Sequence, residues 1–302
     1  MSAFAGYLLD EHEETPMPEF PIIDAHLHLW DPARFRMRWV DGNPILEQPY
    51  GPAEYLQHTA GIDIEAMVYL QVDVDPAYAL LEARWVVDRA AEDPRIRAMV
   101  PWAPLEDGDR ARSFLDALVA VSPLVKGIRR LLQAEADPES CLRPGFVRGV
   151  QLLADYGLSF DLCIDAGAGQ FPGIIELVER CPQVSFVLDH IGKANIKKKV
   201  LDPWREQIAA LAAFPNVLCK ISGLVTEADP VVWTPDDLAP YVAHTLAVFG
   251  EDRVMFGGDW PVALLASSYR RWVATLDGLT AHLSPAARRK LWSENARRFY
   301  RL

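Results

Sequence analysis

An apolar run ends in three polar residues at alternate positions: Ile22-Ile23-Asp24-Ala25-His26-Leu27-His28-Leu29-Trp30. Side chains alternate along a strand, so the sequence predicts that Asp24, His26 and His28 project to one side. Two imidazoles at that spacing form a pincer for one cation, and neutral imidazole is also the natural proton carrier near neutral pH. A single such histidine reads as packing, but an alternating pair at a strand end reads as a site. Polar residues close other apolar runs in the same way: Asp189-His190 before Gly192-Lys193, and Asp259 in Gly257-Gly258-Asp259-Trp260-Pro261. An aspartate behind two glycines reads as functional rather than as a helix cap, because glycine admits close approach of backbone or ligand.

Something must hold these segments together. Eight β-rich runs recur, at 22–30, 66–73, 96–102, 124–131, 158–164, 184–191, 217–222 and 253–260, each followed by a helical pattern. The helices are predicted over 53–60, 76–92, 110–120, 144–156, 172–180, 204–213, 238–249 and 269–277, with a last one at 285–300. Eight strands alternating with helices over about 280 residues predict an α/β chain folded as a (β/α)₈ TIM barrel. An open doubly wound sheet would favour a glycine-rich turn after the first strand, where histidines, aspartate and tryptophan stand instead. No linker divides the chain, so one domain is expected over 21–302, preceded by a short N-terminal extension over 1–20.

The whole-chain numbers narrow the partners. A net charge of −12 and a pI near 5.1 argue against nucleic acid, whose phosphates need a basic face. No apolar run approaches the ~20 residues of a membrane helix, and the acidic first residues lack the basic start of a secretory signal. Cys141, Cys163, Cys181 and Cys219 show no paired spacing, which suits reduced thiols in a cytoplasmic protein. The long loop 31–52, rich in proline, arginine and tryptophan, is of a length that usually carries function.

In such a barrel, chemistry sits at the C-terminal ends of the strands. That rule assembles His26, His28, His190 and Asp259. Arg129, whose planar fork suits a carboxylate, joins them from the fourth strand, with Gln71, Lys220 and Ser222 as further candidates to meet substrate. Trp30, Trp39, Trp102, Trp233 and Trp260 lie at strand ends or in the loops beyond. An indole can stack on a sugar ring while donating its N–H, and Trp30 and Trp260 adjoin the site residues most closely. His58, His244 and His282 fall in predicted helices and read as packing or surface residues.

These residues carry a family resemblance. Asp24-Ala25-His26-Leu27-His28 looks like the opening of the amidohydrolase superfamily, and Asp259 matches its eighth-strand aspartate. Gly127-Ile128-Arg129-Arg130-Leu131-Leu132, Leu188-Asp189-His190-Ile191-Gly192-Lys193, Lys220-Ile221-Ser222-Gly223-Leu224 and Phe256-Gly257-Gly258-Asp259-Trp260-Pro261 resemble its aldonolactonase-like branch. That branch includes L-fuconolactonase and L-rhamnono-lactonase, and a related enzyme opens pyrone dicarboxylate lactones. The resemblance implies a carbohydrate-catabolic hydrolase opening the ester of a sugar-acid lactone such as L-fuconolactone or L-rhamnonolactone. Asp259 would be its general base, with His26, His28, His190 and Arg129 polarising the carbonyl. It implies one divalent ion, zinc first, on His26, His28 and Asp259, and leaves metal-free catalysis open.

One departure bears on that count. The fifth strand offers Asp161 and Cys163 but no histidine, and Lys126 reads as a strand-end residue, so a two-metal centre is not expected. A second reading is a single-metal non-oxidative decarboxylase of an aromatic or dicarboxylic acid on the same barrel. A third, a binding barrel without catalysis, has no need of four such residues together. The expected partner is a small lactone, and barrels of this size often form homo-oligomers.

Overall fold

Eight short, β-branched and apolar segments form the inner ring of the computed structural model, which describes residues 17–302. Most of the expected N-terminal extension, residues 1–16, lies outside them. The strands are β1 (Ile22–Leu27), β2 (Ile64–Leu70), β3 (Ile96–Val100), β4 (Gly127–Ile128), β5 (Ser159–Leu162), β6 (Phe186–Leu188), β7 (Val217–Ile221) and β8 (Val254–Phe256). All ladders are parallel, running β1-β2-β3 and β4-β5-β6-β7-β8. Two bridges, Met99 to Val125 and Leu27 to Trp260, join the arcs and close the barrel. The fold is the (β/α)₈ barrel that the strand count predicts.

Both faces of the ring are dry, as a parallel sheet under helices requires. Phe160, Leu162, Phe186, Leu188, Ile221 and Phe256 face outward onto helical residues such as Leu115, Val150, Ile174 and Ile208. Ile23, Ala25, Val68, Val100, Val187 and Met255 face inward, and the last helix, Asn295–Tyr300, adds Ala296 and Tyr300 to them. The strands stop earlier than the apolar runs suggest. Gln71 to Asp73, Arg129 to Leu131, Asp189 to Ile191 and Gly257 to Trp260 leave the ladders and become the rim. Asp73, His190, Ile191 and Asp259 adopt left-handed backbone with φ between 49° and 54°, which no continuing strand permits.

One expectation about facing is corrected. Asp24 does not share a face with His26 and His28, because the pairing of β1 with β2 slips between Asp24 and Leu27. A bulge of this kind reverses which face the following residues occupy. Asp24 therefore points outward, accepting from the hydroxyls of Tyr55 at 3.0 Å and Tyr269 at 2.9 Å and from the Gly258 amide at 2.8 Å. It clamps the β8 loop to β1 from behind.

Glu82, buried in the helix Ala79–Glu92, fastens the rim of β2 by accepting from Tyr69 Oη at 2.7 Å and Val72 N at 2.9 Å. Burial pushes its carboxyl up to about 7, against the hydrogen bonds from Tyr69 and Val72. A free glutamate titrates near 4.3, so the folded state holds the extra proton between roughly pH 4 and 7, and stability is lost as pH rises through that window. Glu82→Gln keeps both acceptor contacts without the charge. We expect its stability gain over wild type to be larger at pH 8 than at pH 5 by roughly 2 kcal/mol in denaturant unfolding. An equal effect at both pH values would show that Glu82 is ionised in the fold throughout.

Candidate active site

The seam that closes the barrel is also the site. Asp259 N donates to His26 O and His28 N donates to Trp260 O, each at 2.8 Å, so the backbone itself sets the eighth-strand carboxylate against the two imidazoles. Gly257 makes this approach possible, since a Cβ there would lie 2.6 Å from the Cβ of His26. His28 Nδ1 lies 2.9 Å from Leu70 O, which can only accept, so Nδ1 carries the proton and the Nε2 lone pair faces inward. His26 turns Nδ1 to Asp189 Oδ1 at 3.3 Å and Nε2 to the same centre.

The donor atoms outline one face of a tetrahedron. His26 Nε2 and His28 Nε2 are 3.2 Å apart, and Asp259 Oδ1 is 3.7 Å and 3.5 Å from them. Zinc bonds of about 2.0–2.1 Å put neighbouring tetrahedral ligands roughly 3.3 Å apart. His26, His28 and Asp259 are thus a set that can hold a divalent ion, and His26, Asp189 and His190 form an overlapping group. Charge points the same way. Lys220 and Arg129 are matched by Asp161 and Asp189, which leaves Asp259 as the carboxylate facing the neutral imidazoles, with the Lys193 ammonium, paired to Glu227 at 3.2 Å, also acting on it.

Burial keeps those imidazoles neutral. It holds His26 well below the ordinary histidine value, with Lys220 adding to the effect, and it lowers His28 and His190 likewise. Burial alone would raise Asp259, but His190 and His28 outweigh it and keep the carboxyl below its usual range. An ionised carboxylate facing neutral imidazoles suits both cation binding and proton abstraction.

His190 completes the ring of nitrogens from the β6 end, with its Nε2 3.9 Å from Asp259 Oδ1 and its ring centroid 4.3 Å from that of His26. Its Nδ1 is 2.9 Å from Ser222 Oγ at the end of β7. Gly223 follows with φ 66°, and a Cβ there would sit 2.5 Å from His190 Nδ1. His190 and Asp259 both pay for their placement with left-handed backbone, a cost that concentrates at functional sites.

Arg129 also reaches the centre. Nη1 is 3.3 Å from His26 Nε2 and 3.4 Å from Asp189 Oδ2, while Nη2 bonds the carbonyl of Gln71. Three sequence-based expectations, for Lys220, Trp30 and Trp260, are corrected. Lys220 is fully buried beneath the site, held by Asp161 at 2.6 Å and Asp189 at 3.0 Å with His26 Nδ1 at 3.4 Å, and supports rather than faces a ligand. Gln71 is not among the corrected: it is buried and turns its side-chain oxygen to the Asp73 amide, while its Nε2 has no partner among the described residues. Trp30 spends its N–H on the carbonyls of Leu46 and Gln48 and packs under the 31–52 loop. Trp260, next in sequence to Asp259, points the opposite way, packed edge-on against Tyr50 and Tyr55. Asp259 takes left-handed backbone and the chain turns there, so being next in sequence to a site residue did not mean sharing its face.

Asp161 and Tyr300 complete the arrangement without having been singled out as site residues, beside Asp189 and Ser222, which the sequence placed at strand ends. The available signal was a charged residue at the centre of an apolar strand, as in Phe160-Asp161-Leu162 and Cys219-Lys220-Ile221.

A family model described as amidohydrolase matches residues 23–302, and the chain belongs to that family. Among curated proteins, an L-fucono-1,5-lactonase of Burkholderia ambifaria is 30% identical over 93% of this chain and 95% of its own length. An L-fucono-1,5-lactonase of Burkholderia multivorans is 32% identical over 93% of this chain and 96% of its own. A solved amidohydrolase of Burkholderia multivorans with bound zinc superposes with a TM-score of 0.84 at 30% identity, covering 94% of this chain and 100% of that one. Among the described residues no helix is long and apolar enough to cross a membrane.

Proposed function

We propose that this chain opens the ester of a sugar-acid lactone, using Asp259 as general base in a single barrel domain spanning 21–302. The observation that carries the reading is Asp259 Oδ1 within 3.5–3.9 Å of three buried imidazole nitrogens, with Arg129 at the same centre. The relatives named as L-fucono-1,5-lactonases support it, and they favour a neutral, polyhydroxylated lactone. His26, His28 and Asp259 would hold one zinc ion, a choice supported by the zinc in the solved relative. Bound there, the ion supplies Lewis-acid polarisation of the lactone carbonyl and of water.

The chain's own groups supply the rest. Asp259 removes a proton from water as its oxygen attacks the carbonyl carbon. With Ser222 Oγ donating to Nδ1, His190 would carry its proton on Nε2, facing the centre, where with the Arg129 guanidinium it would stabilise the oxyanion. As the ring C–O bond breaks, the departing alkoxide recovers the proton from Asp259, and the product is the open hydroxy acid.

The test is proton release on L-fucono-1,5-lactone, L-rhamnonolactone and a pyrone dicarboxylate, with elemental analysis and thermal melts before and after chelation. Expected results are turnover of a neutral sugar lactone, one zinc per chain, and a lower melting temperature once the metal is removed. Silence on every lactone by a folded, metal-loaded chain would overturn the assignment.

A further inference from the structure

The geometry points to the recess over the end of β2, between Trp39 and Asp73, as the subsite that holds the hydroxyl-bearing ring of a neutral substrate. This deepens, and rests on, the lactone reading above. The recess is an open groove of about 490 Å³ lined by Arg36, Arg38, Trp39, Asp73, Val74, Asp75 and Pro76. That volume lies within the usual range of small-molecule pockets, roughly 300–1,000 Å³. No residue of the catalytic centre lines it, and its link to that centre is Asp73, which lies in the field of the Arg129 guanidinium two residues beyond Gln71, whose carbonyl accepts from Arg129.

Trp39 is built as a platform. Its indole N–H is fixed to Val72 O at 2.7 Å and its ring stands edge-on to Trp30 at 5.3 Å, yet the residue is 41% exposed. A rigid aromatic face open to a cavity stacks on the C–H face of a sugar ring at little entropic cost. Asp73 is exposed, and its carboxylate makes no hydrogen bond or ion pair among the described residues, while its amide is tied to Gln71 and its φ is 54°. Such a carboxylate accepts from neighbouring hydroxyls and repels a carboxylated ligand. Arg36 is committed to Asp41, whereas Arg38 makes no ion pair among the described residues and can donate to hydroxyl oxygens. One aromatic face, the free Asp73 carboxylate with that of Asp75 beside it, and the Arg38 guanidinium suit a neutral polyol ring and disfavour a dicarboxylate.

The experiment measures L-fucose binding by saturation-transfer NMR, alongside KM and kcat for L-fucono-1,5-lactone, in wild type, Trp39→Ala, Trp39→Phe and Asp73→Asn. Circular dichroism establishes folding, and Asn tolerates the left-handed backbone of Asp73. Trp39→Ala and Asp73→Asn are expected to weaken L-fucose binding and raise KM by roughly tenfold each, with kcat within about threefold and Trp39→Phe retaining most of the affinity. Affinity and KM within twofold of wild type in both variants would overturn the subsite while leaving the lactonase reading intact. Loss of L-fucose binding in the variants, with no lactone cleaved by wild type, would support the subsite and sink the reaction.

Discussion

Asp259→Asn is expected to lower kcat on L-fucono-1,5-lactone by about 10²–10⁴, the range assigned to a general base, and to leave the fold intact. The substitution is nearly isosteric, and Asn is among the few residues that accept left-handed backbone, so the φ of 52° at this position adds no strain. The ladder bond from this residue's amide to His26 O also survives, because it belongs to the backbone. What disappears is the negative charge facing His26, His28 and His190 and the oxygen able to take and return a proton. The amide also weakens the three-residue metal set, so zinc content must be measured beside the rate. A fall in kcat with zinc retained assigns the loss to proton transfer, and a fall that tracks zinc assigns it to the ion. Activity within tenfold of wild type, with an unchanged melting temperature, would remove Asp259 from the chemistry.

Much of this site was legible because it is written in local patterns. An alternating histidine pair at the end of an apolar run, and an aspartate behind two glycines, announce themselves without tertiary information. The eight strands were legible for the same reason, their apolar runs being too regular to mistake. What the sequence could not display was decided by contacts between distant segments. Asp24 is drawn outward by Tyr55, Tyr269 and the Gly258 amide, partners 31, 245 and 234 residues away, and the bulge that follows has no local signature. Trp30 and Trp260 were read from their adjacency to site residues, but the left-handed turn at Asp259 sends Trp260 against Tyr50 and Tyr55, and the pairing of Trp30 with Tyr50 turns it beneath a loop. The ionic floor needed β5, β6 and β7 to pair side by side before Asp161, Asp189 and Lys220 could meet.

That floor underlies the largest expected effect on stability. Lys220 stands between Asp161 at 2.6 Å and Asp189 at 3.0 Å, all three fully buried, with Tyr300 Oη donating to Asp161 at 2.9 Å. Removing one partner from a buried ionic group leaves the others uncompensated, at a cost of about 3–5 kcal/mol. Lys220→Met, similar in length and without charge, is therefore expected to destabilise the barrel by that amount at pH 8 in denaturant unfolding. The loss should shrink as pH falls. Burial already pushes Asp161 up to about 6, with Lys220 opposing the rise, so without Lys220 the carboxyl climbs further and takes up a proton in the folded state. Because that folded value then lies far above the unfolded one, the variant regains stability as pH drops through the window between them. Adding Asp161→Asn should restore most of the stability at pH 8, since a neutral amide can still accept from Tyr300 and no longer faces Asp189 as a like charge. A double variant no more stable than Lys220→Met alone would mean that Lys220 acts through packing against Tyr300, 5.4 Å from its ring, rather than by balancing the two carboxylates.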